Sequence, residues 1–376
     1  MLTALAGSSM LKALGLGGEA ADSVGFSAAI KWVTKDGIGA AGRLFVGGKL
    51  GFMFDEDPKR WRMIAEGFTT LGLALEMATQ VYPSSFILLA GGGTVARAMG
   101  TGIGRPCFRV IQTHFALENN IGDVSAKEEV WEVAAQLIGI AASVATLSAL
   151  EQLGTPEYVV PVWAAVHSLH VAFRYYSLKL LCFPWPNFKR GSFLASTYIR
   201  TGQVVSVEEA AATEPMFQSP NTLPFGMHCV FGSSWSDSID NYCQADTDSY
   251  TSDAKASGRG KASTKVYMEH PSIQYLVDLY SEEKYILTIR DDTIHVLLWL
   301  DACPRDEMRA LWQACWLDAN RQECSSYAEG MLIHASLQSM QAAFEDFESQ
   351  STVKGWDFLR TVVPSKDTRL SKMNQM

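Results

Sequence analysis

Apolar residues recur at helical spacing through most of the first half of the chain, with glycines and polar turns marking the stops. Residues 2–16 predict a helix that ends at Gly15, Gly17 and Gly18. Residues 23–36 and 37–54 follow, with Gly37, Gly39, Gly42, Gly47 and Gly48 punctuating an apolar run. Asp57-Pro58 is a helix-start signal, so a helix is expected over 59–81, broken at Tyr82-Pro83 and followed by another over 86–99. Residues 133–150 contain no charged side chain. At about 1.5 Å per residue that run is near the minimum for crossing a bilayer. Ala135, Gly139 and Ser143 fall four apart and line one face with small side chains, which permits close helix approach. After a loop around Gly154-Thr-Pro156, residues 158–173 give a second run without Asp, Glu, Lys or Arg, followed by Arg174 and Lys179. Together they predict an antiparallel helical hairpin. It is either buried in a soluble bundle or embedded in, or lying on, a membrane, and the apolar neighbours favour the membrane.

The pattern changes in the second half. Residues 219–265 are rich in Ser, Thr and Asp, carry Gly258 and Gly260 around Arg259, and show no periodicity, which predicts a disordered linker. Beyond it, 272–283 suits a helix, 284–290 and 293–300 suit strands joined at Asp291-Asp292, and 304–319 and 325–348 suit helices. The expected fold is mainly α: an apolar helical bundle over 1–205, a largely disordered linker over 206–265, a small α+β module over 266–363, and a tail over 364–376.

Composition sharpens this. Hydrophobic residues make up 48% and charged residues 19% of the 376, against about a quarter charged in ordinary soluble domains, and the mean hydropathy is +0.04. The net charge of −9 sits in the second half: residues 1–200 hold 17 Lys+Arg against 15 Asp+Glu, and the remainder holds 14 against 25. That acidity argues against nucleic acid, which needs clustered cations. The seven cysteines show no paired short spacing, so neither a disulfide framework nor a zinc knuckle is expected. The start, Met1-Leu-Thr-Ala-Leu-Ala-Gly, lacks a basic n-region and does not suggest a secretory signal.

Several constellations invite chemistry. Gly37-Ile-Gly-Ala-Ala-Gly42 fits a dinucleotide fingerprint, but the preceding residues are as compatible with helix as with strand, and Glu56 lies in a polar turn. Close helix packing explains these glycines better. Gly91-Gly-Gly93 and Gly100, Gly102, Gly104 lack the Lys-Ser/Thr of a P-loop. Arg97, Arg105 and Arg109 bracket the second cluster and form a candidate small-anion site, with pairing to Glu118, Asp123 or Glu128 as the alternative. The run from His114 to Glu128 packs His114, Glu118, Asn119, Asn120, Asp123, Lys127 and Glu128 between two apolar segments, where dry polar groups must find partners. Lys127 is placed for an ordinary ion pair with Asp123. His167, His170 and Arg174 share one helical face and read as hydrogen-bonded helix residues, since no further metal ligand is at hand. Asp57, Lys59, Trp61 and Arg62 read as a membrane-interface or structural group. No hydrolase motif occurs, no catalytic residue is assigned, and no cofactor or metal is expected.

Four stretches resemble the root UVB sensitive family: Lys35-Asp-Gly-Ile-Gly-Ala-Ala-Gly-Arg43, Asp57-Pro-Lys-Arg-Trp-Arg62, the stretch from Thr113-His-Phe-Ala116 through Asn120 to Ala126-Lys127-Glu128, and Glu283-Lys-Tyr-Ile-Leu287 with Gly355-Trp356. The resemblance implies links to early development under UV-B, vitamin B6 homeostasis and auxin transport. It also implies a membrane or plastid location and a second family member as partner. It supplies no catalytic residues. Membrane lipid and a small anionic ligand complete the expected partners.

Overall fold

A computed structural model of the chain describes residues 51–117, 120–154, 158–218, 221–238, 273–321, 329–366 and 368–371. The glycine fingerprint at 37–42 and Asn119 lie outside the described residues. The protein is mainly α and divides into two compact units, residues 1–181 and 182–376.

In the first unit, α1 (Gly51–Glu56) leads into α2 (Pro58–Ala78). Asp57 caps α2 by accepting the Arg60 amide at 3.2 Å, with Pro58 at the first helical position. α2 ends before Tyr82-Pro83, and α3 runs from Phe86–Phe115. This helix continues well past the expected end at 99, straight through the glycine cluster. The reason is packing. α2 and α3 lie antiparallel, and their glycines are where the backbones meet. A Cβ on Gly93 would sit 2.8 Å from the Gly72 carbonyl oxygen, and one on Gly100 would sit 2.8 Å from the Ala65 carbonyl oxygen. Tertiary contact outweighs the low helix propensity of glycine here.

The two expected helices are present as α4 (Ile121–Gln152) and α5 (Val159–Lys179), but they meet only near their connecting turn and do not pack along one another as the expected hairpin would. α5 packs on α2, with Val159 set against Leu73 and Met77, while Leu147 and Leu150 of α4 close the same cluster. Among its described residues α4 buries only Ser143. Val130, Trp131, Leu137, Ile138 and Val144 all stand exposed around the rest of the helix.

The second unit holds α6 (Phe188–Thr201), α7 (Val207–Thr213), β1 (His228–Phe231), α8 (Ile273–Leu279), β2 (Tyr285–Arg290), β3 (Thr293–Leu298), α9 (Pro304–Asn320) and α10 (Glu329–Val353). β2 and β3 form an antiparallel hairpin, and β1 adds parallel to β3, giving the order β1-β3-β2. Asp291 and Asp292 at the tip have φ of 47° and 62°, the backbone that a two-residue hairpin requires. Helices cover the sheet around one core that includes Leu194, Phe231, Leu287, Val296, Leu311 and Phe344. Buried Gln313 ties the core together. It accepts from the Tyr285 hydroxyl at 2.8 Å, and its amide contacts the Tyr280 and Ser336 hydroxyls at 2.7 and 2.8 Å.

Two boundaries differ from the sequence expectation. The helical domain expected over 1–205 ends at 181, because α6 buries Phe188, Leu194 and Ala195 in the second core. The expected linker over 206–265 is folded over 206–218 and 221–238. Ser206 and Glu209 form a reciprocal capping box that starts α7. Met227, Cys229 and Phe231 bury themselves in the core beside β3. The Ser- and Thr-rich composition hides a strand of four residues.

Candidate functional site

The chemistry-bearing side chains of the first unit converge on the seam between α2 and α5. His170 and Arg174 lie one turn apart on α5, and both face Glu66 on α2. The His170 Nε2 is 3.0 Å from Glu66 Oε1, and the Arg174 Nε is 3.6 Å from Glu66 Oε2. Glu66 is almost fully buried, so its charge requires these partners. One turn further along α2, Thr70 donates its hydroxyl to the Glu66 carbonyl at 2.8 Å. Its oxygen therefore accepts from His167 Nε2, also at 2.8 Å. That fixes the proton of His167 on Nε2 and leaves Nδ1 as an acceptor, which is buried with no hydrogen-bond partner. Trp163 stacks on the His167 ring at 5.2 Å between centroids and 3° between planes. Arg62, one turn before Glu66, lies over Gly104 of α3: a Cβ there would fall 2.3 Å from the Arg62 guanidinium. Arg62 Nε and Trp163 Nε1 are likewise buried with no hydrogen-bond partner.

The result is a polar ladder of Arg62, Glu66, Thr70, Trp163, His167, His170 and Arg174 inside an otherwise apolar bundle. It holds more cationic and donor groups than acceptors. Its carboxylate, imidazoles and guanidiniums can donate, accept and pass protons or hold polar groups. A second buried carboxylate, Glu76 on α2, accepts from Arg97 Nη1 on α3 with both oxygens at 3.0 Å. Among the described residues no group of three or more His, Cys, Asp or Glu is placed to hold a metal ion.

The sequence-expected site is distributed differently. Arg97 is engaged by Glu76, whereas Arg105 and Arg109 point from exposed positions on the later turns of α3. The structure does not gather the three around one anion. His114 is half-buried at the end of α3, with its ring 5.0 Å from that of Phe115. Asn120 begins α4 and receives the Asp123 and Val124 amides on its carbonyl. Asp123 and Lys127 form an exposed ion pair at 2.7 Å. Glu128 accepts from Gln112 at 3.3 Å, which joins α4 to α3. The run from His114 to Glu128 is thus the corner between two helices, not an interior site. Of the group at 57–62, Asp57 is the helix cap, Lys59 is buried, and Trp61 packs edge-on against Phe54 at 5.6 Å. Only Arg62 joins the ladder. His167, His170 and Arg174 shared a face in the sequence, but Glu66, about a hundred residues earlier, carried no signal of its own.

Comparison with known proteins fixes the lineage. A family model described as the vitamin B6 photo-protection and homoeostasis domain matches residues 1–202, and a model for the C-terminal region of root UVB sensitive proteins matches residues 260–371. The chain belongs to the root UVB sensitive family. It is 36% identical to root UVB sensitive 5 of Arabidopsis thaliana, across 93% of this chain and 66% of that protein. It is 31% identical to root UVB sensitive 3 of the same plant, across 54% of this chain and 46% of that one. It is 25% identical to the Arabidopsis protein named root UVB sensitive 2, chloroplastic, across 87% and 68%. The chain thus spans about two thirds or less of the length of the first two relatives. No solved structure matches it. The family motif at Asp57–Arg62 caps α2, and the motif ending at Glu128 forms the corner between α3 and α4. Glu283 and Trp356, from the C-terminal motifs, are structural. Glu283 is held by Arg309 at 2.6 and 3.0 Å, and the Trp356 indole donates to the Val205 carbonyl at 3.0 Å.

Proposed function

We propose that the protein works embedded in a membrane, as a non-enzymatic member of its family that supports vitamin B6 homeostasis under UV-B. The observation that carries the membrane reading is α4. Its residues 133–150 bear no charge, its length and composition suit a bilayer crossing, and its large apolar side chains are exposed over most of its surface, away from the edge of Ser143, Leu147 and Leu150. Trp131 is 77% exposed and Ile138 71%. A helix that is apolar all round belongs inside a protein or inside lipid. Leaving such side chains in water forgoes about 1.5–3 kcal/mol each. α3 is the second helix of sufficient length and apolarity.

The vitamin B6 connection comes from the description of the family model. Links to UV-B-responsive development and auxin transport rest on the family resemblance, and the plastid as location is suggested by one relative's name. Alkaline carbonate extraction of membranes carrying the full chain tests the reading. Retention in the pellet is the expected result. Complete release would overturn it and point to a soluble scaffold whose α4 surface is covered by a second family member.

A further inference from the structure

Helices α2 to α5 of the first unit run alternately up and down, so their ends fall into two sets. α2 and α5 are antiparallel, as α2 and α3 are. Glu66 faces His170 and Arg174, while Leu73 and Met77, further along α2, meet Val159 at the start of α5. α4 follows the same pattern. Glu128 near its start accepts from Gln112 late in α3, and Leu147 and Leu150 near its finish pack with Leu73 and Val159. One end of the unit therefore carries the turn from α2 to α3 and the connection from α4 to α5. The other carries the start of α2, the corner between α3 and α4, and the last turn of α5.

The chemistry of the two ends is opposite. Towards the first, residues 67–96 hold one charge, Glu76, which is buried and taken up by Arg97. Residues 133–173 hold only Glu151 and Glu157 as charged side chains. Large apolar groups stand outward there, among them Val81, Tyr82, Leu88, Leu153 and Tyr158. The second end is ionic, with Arg105, Arg109, Asp123, Lys127 and Lys179 all exposed. Sinking that end into hydrocarbon would cost about 2.5–3.5 kcal/mol for each Asp, Lys or Arg carried to the centre. Immersing the first end instead removes side chains from water that each forgo about 1.5–3 kcal/mol by staying in it.

α4 supplies the length. Its charge-free run lies between Glu132 and Glu151, and at about 1.5 Å per residue it measures about 27 Å, close to the ~30 Å hydrocarbon core of a bilayer. The exposed Trp131 stands at one margin of the run, and the exposed Tyr82 and Tyr158 stand at the end that carries the other. Such amphipathic rings favour the two interfaces. At intermediate depth Glu66 and Glu76 are turned between helices and paired, as ionisable groups within a membrane are.

We propose that the first unit enters a lipid bilayer by the end that carries these two connections, with Leu88 and Leu153 among the lipids and the ionic end in water. The inference rests on the membrane reading above and adds which end is immersed.

The test places a dansyl-bearing amino acid in the full chain at Leu88, Leu153 or Leu117, one position per variant. Leu117, on the ionic end, is 73% exposed against 77% for Leu88 and 73% for Leu153, so the three differ in position and not in accessibility. Each variant is reconstituted into phosphatidylcholine vesicles that contain phosphatidylcholine brominated along its acyl chains. Quenching severalfold stronger at Leu88 and Leu153 than at Leu117 is expected. A native chain that alkaline carbonate strips from the vesicles removes the membrane reading and this inference with it, and leaves the apolar end to a protein partner. A chain that stays bound, yet is quenched at Leu117 as strongly as at Leu88 or Leu153 or more so, overturns the inference alone.

Discussion

Replacing Glu66 by Gln tests whether the ladder between α2 and α5 is one coupled network. The substitution keeps the side-chain volume and removes the single negative charge that faces His170 and Arg174. Breaking a fully buried ion pair by deleting one partner costs about 3–5 kcal/mol. The His170 and Arg174 side chains, however, are 39% and 32% exposed, so solvent recovers part of that loss. The expected destabilisation is about 2 kcal/mol, or roughly thirtyfold in the folding equilibrium. Arg174→Gln alone is expected to cost about 1 kcal/mol, since Glu66 keeps its bond from His170. The double variant should lose less than the sum, because the charge that Arg174 answers is already gone. Denaturant unfolding of the full chain in mild detergent, followed by tryptophan fluorescence, measures all three. A Glu66→Gln loss below about 0.5 kcal/mol, or losses that add within that margin, would refute the network.

Two further outcomes follow from the same structure. Gly93→Val, which drives a side chain into the Gly72 carbonyl, should cost at least about 1–3 kcal/mol, whereas Gly67→Ala, with nothing within 4 Å, should stabilise α2 by up to about 1 kcal/mol; thermal midpoints of the two variants decide it. His295 in β3 is half-buried beside Ser233, and burial, then the nearby Arg290, hold its pKa below the ordinary 6.5. Its folded state therefore binds fewer protons than the unfolded chain, so the second unit should lose stability as pH falls through 6.5 and below; in denaturation at pH 7.5 and 5.5, His295→Gln should reduce that dependence.

The parts of the fold legible in the sequence were those specified locally. Asp291-Asp292 between alternating strands marked the hairpin, and the charge-free runs marked α4 and α5. β1 was hidden because four residues in a Ser- and Thr-rich stretch carry little periodicity, and their partner strand lies more than sixty residues away. The helix expected over 86–99 stopped short of Gly100 because the compensation for that glycine, close contact with the backbone of α2, is tertiary. The same limit applied to the ladder. The face of α5 could be drawn from spacing alone, but the buried carboxylate that gives it meaning belongs to another helix.

The helix α6 separates two ways of dividing this protein. By inheritance it belongs to the first half, because the family match runs from 1 to 202. By folding it belongs to the second, because Phe188, Leu194 and Ala195 are buried in the core that begins at 182. β1 belongs to neither matched segment, yet it completes the sheet. An expression boundary drawn at 202 would therefore leave one fragment with an unsheltered greasy helix and the other with a hole where that helix belonged. Cutting near 181 and keeping everything after it together respects the way the chain folds.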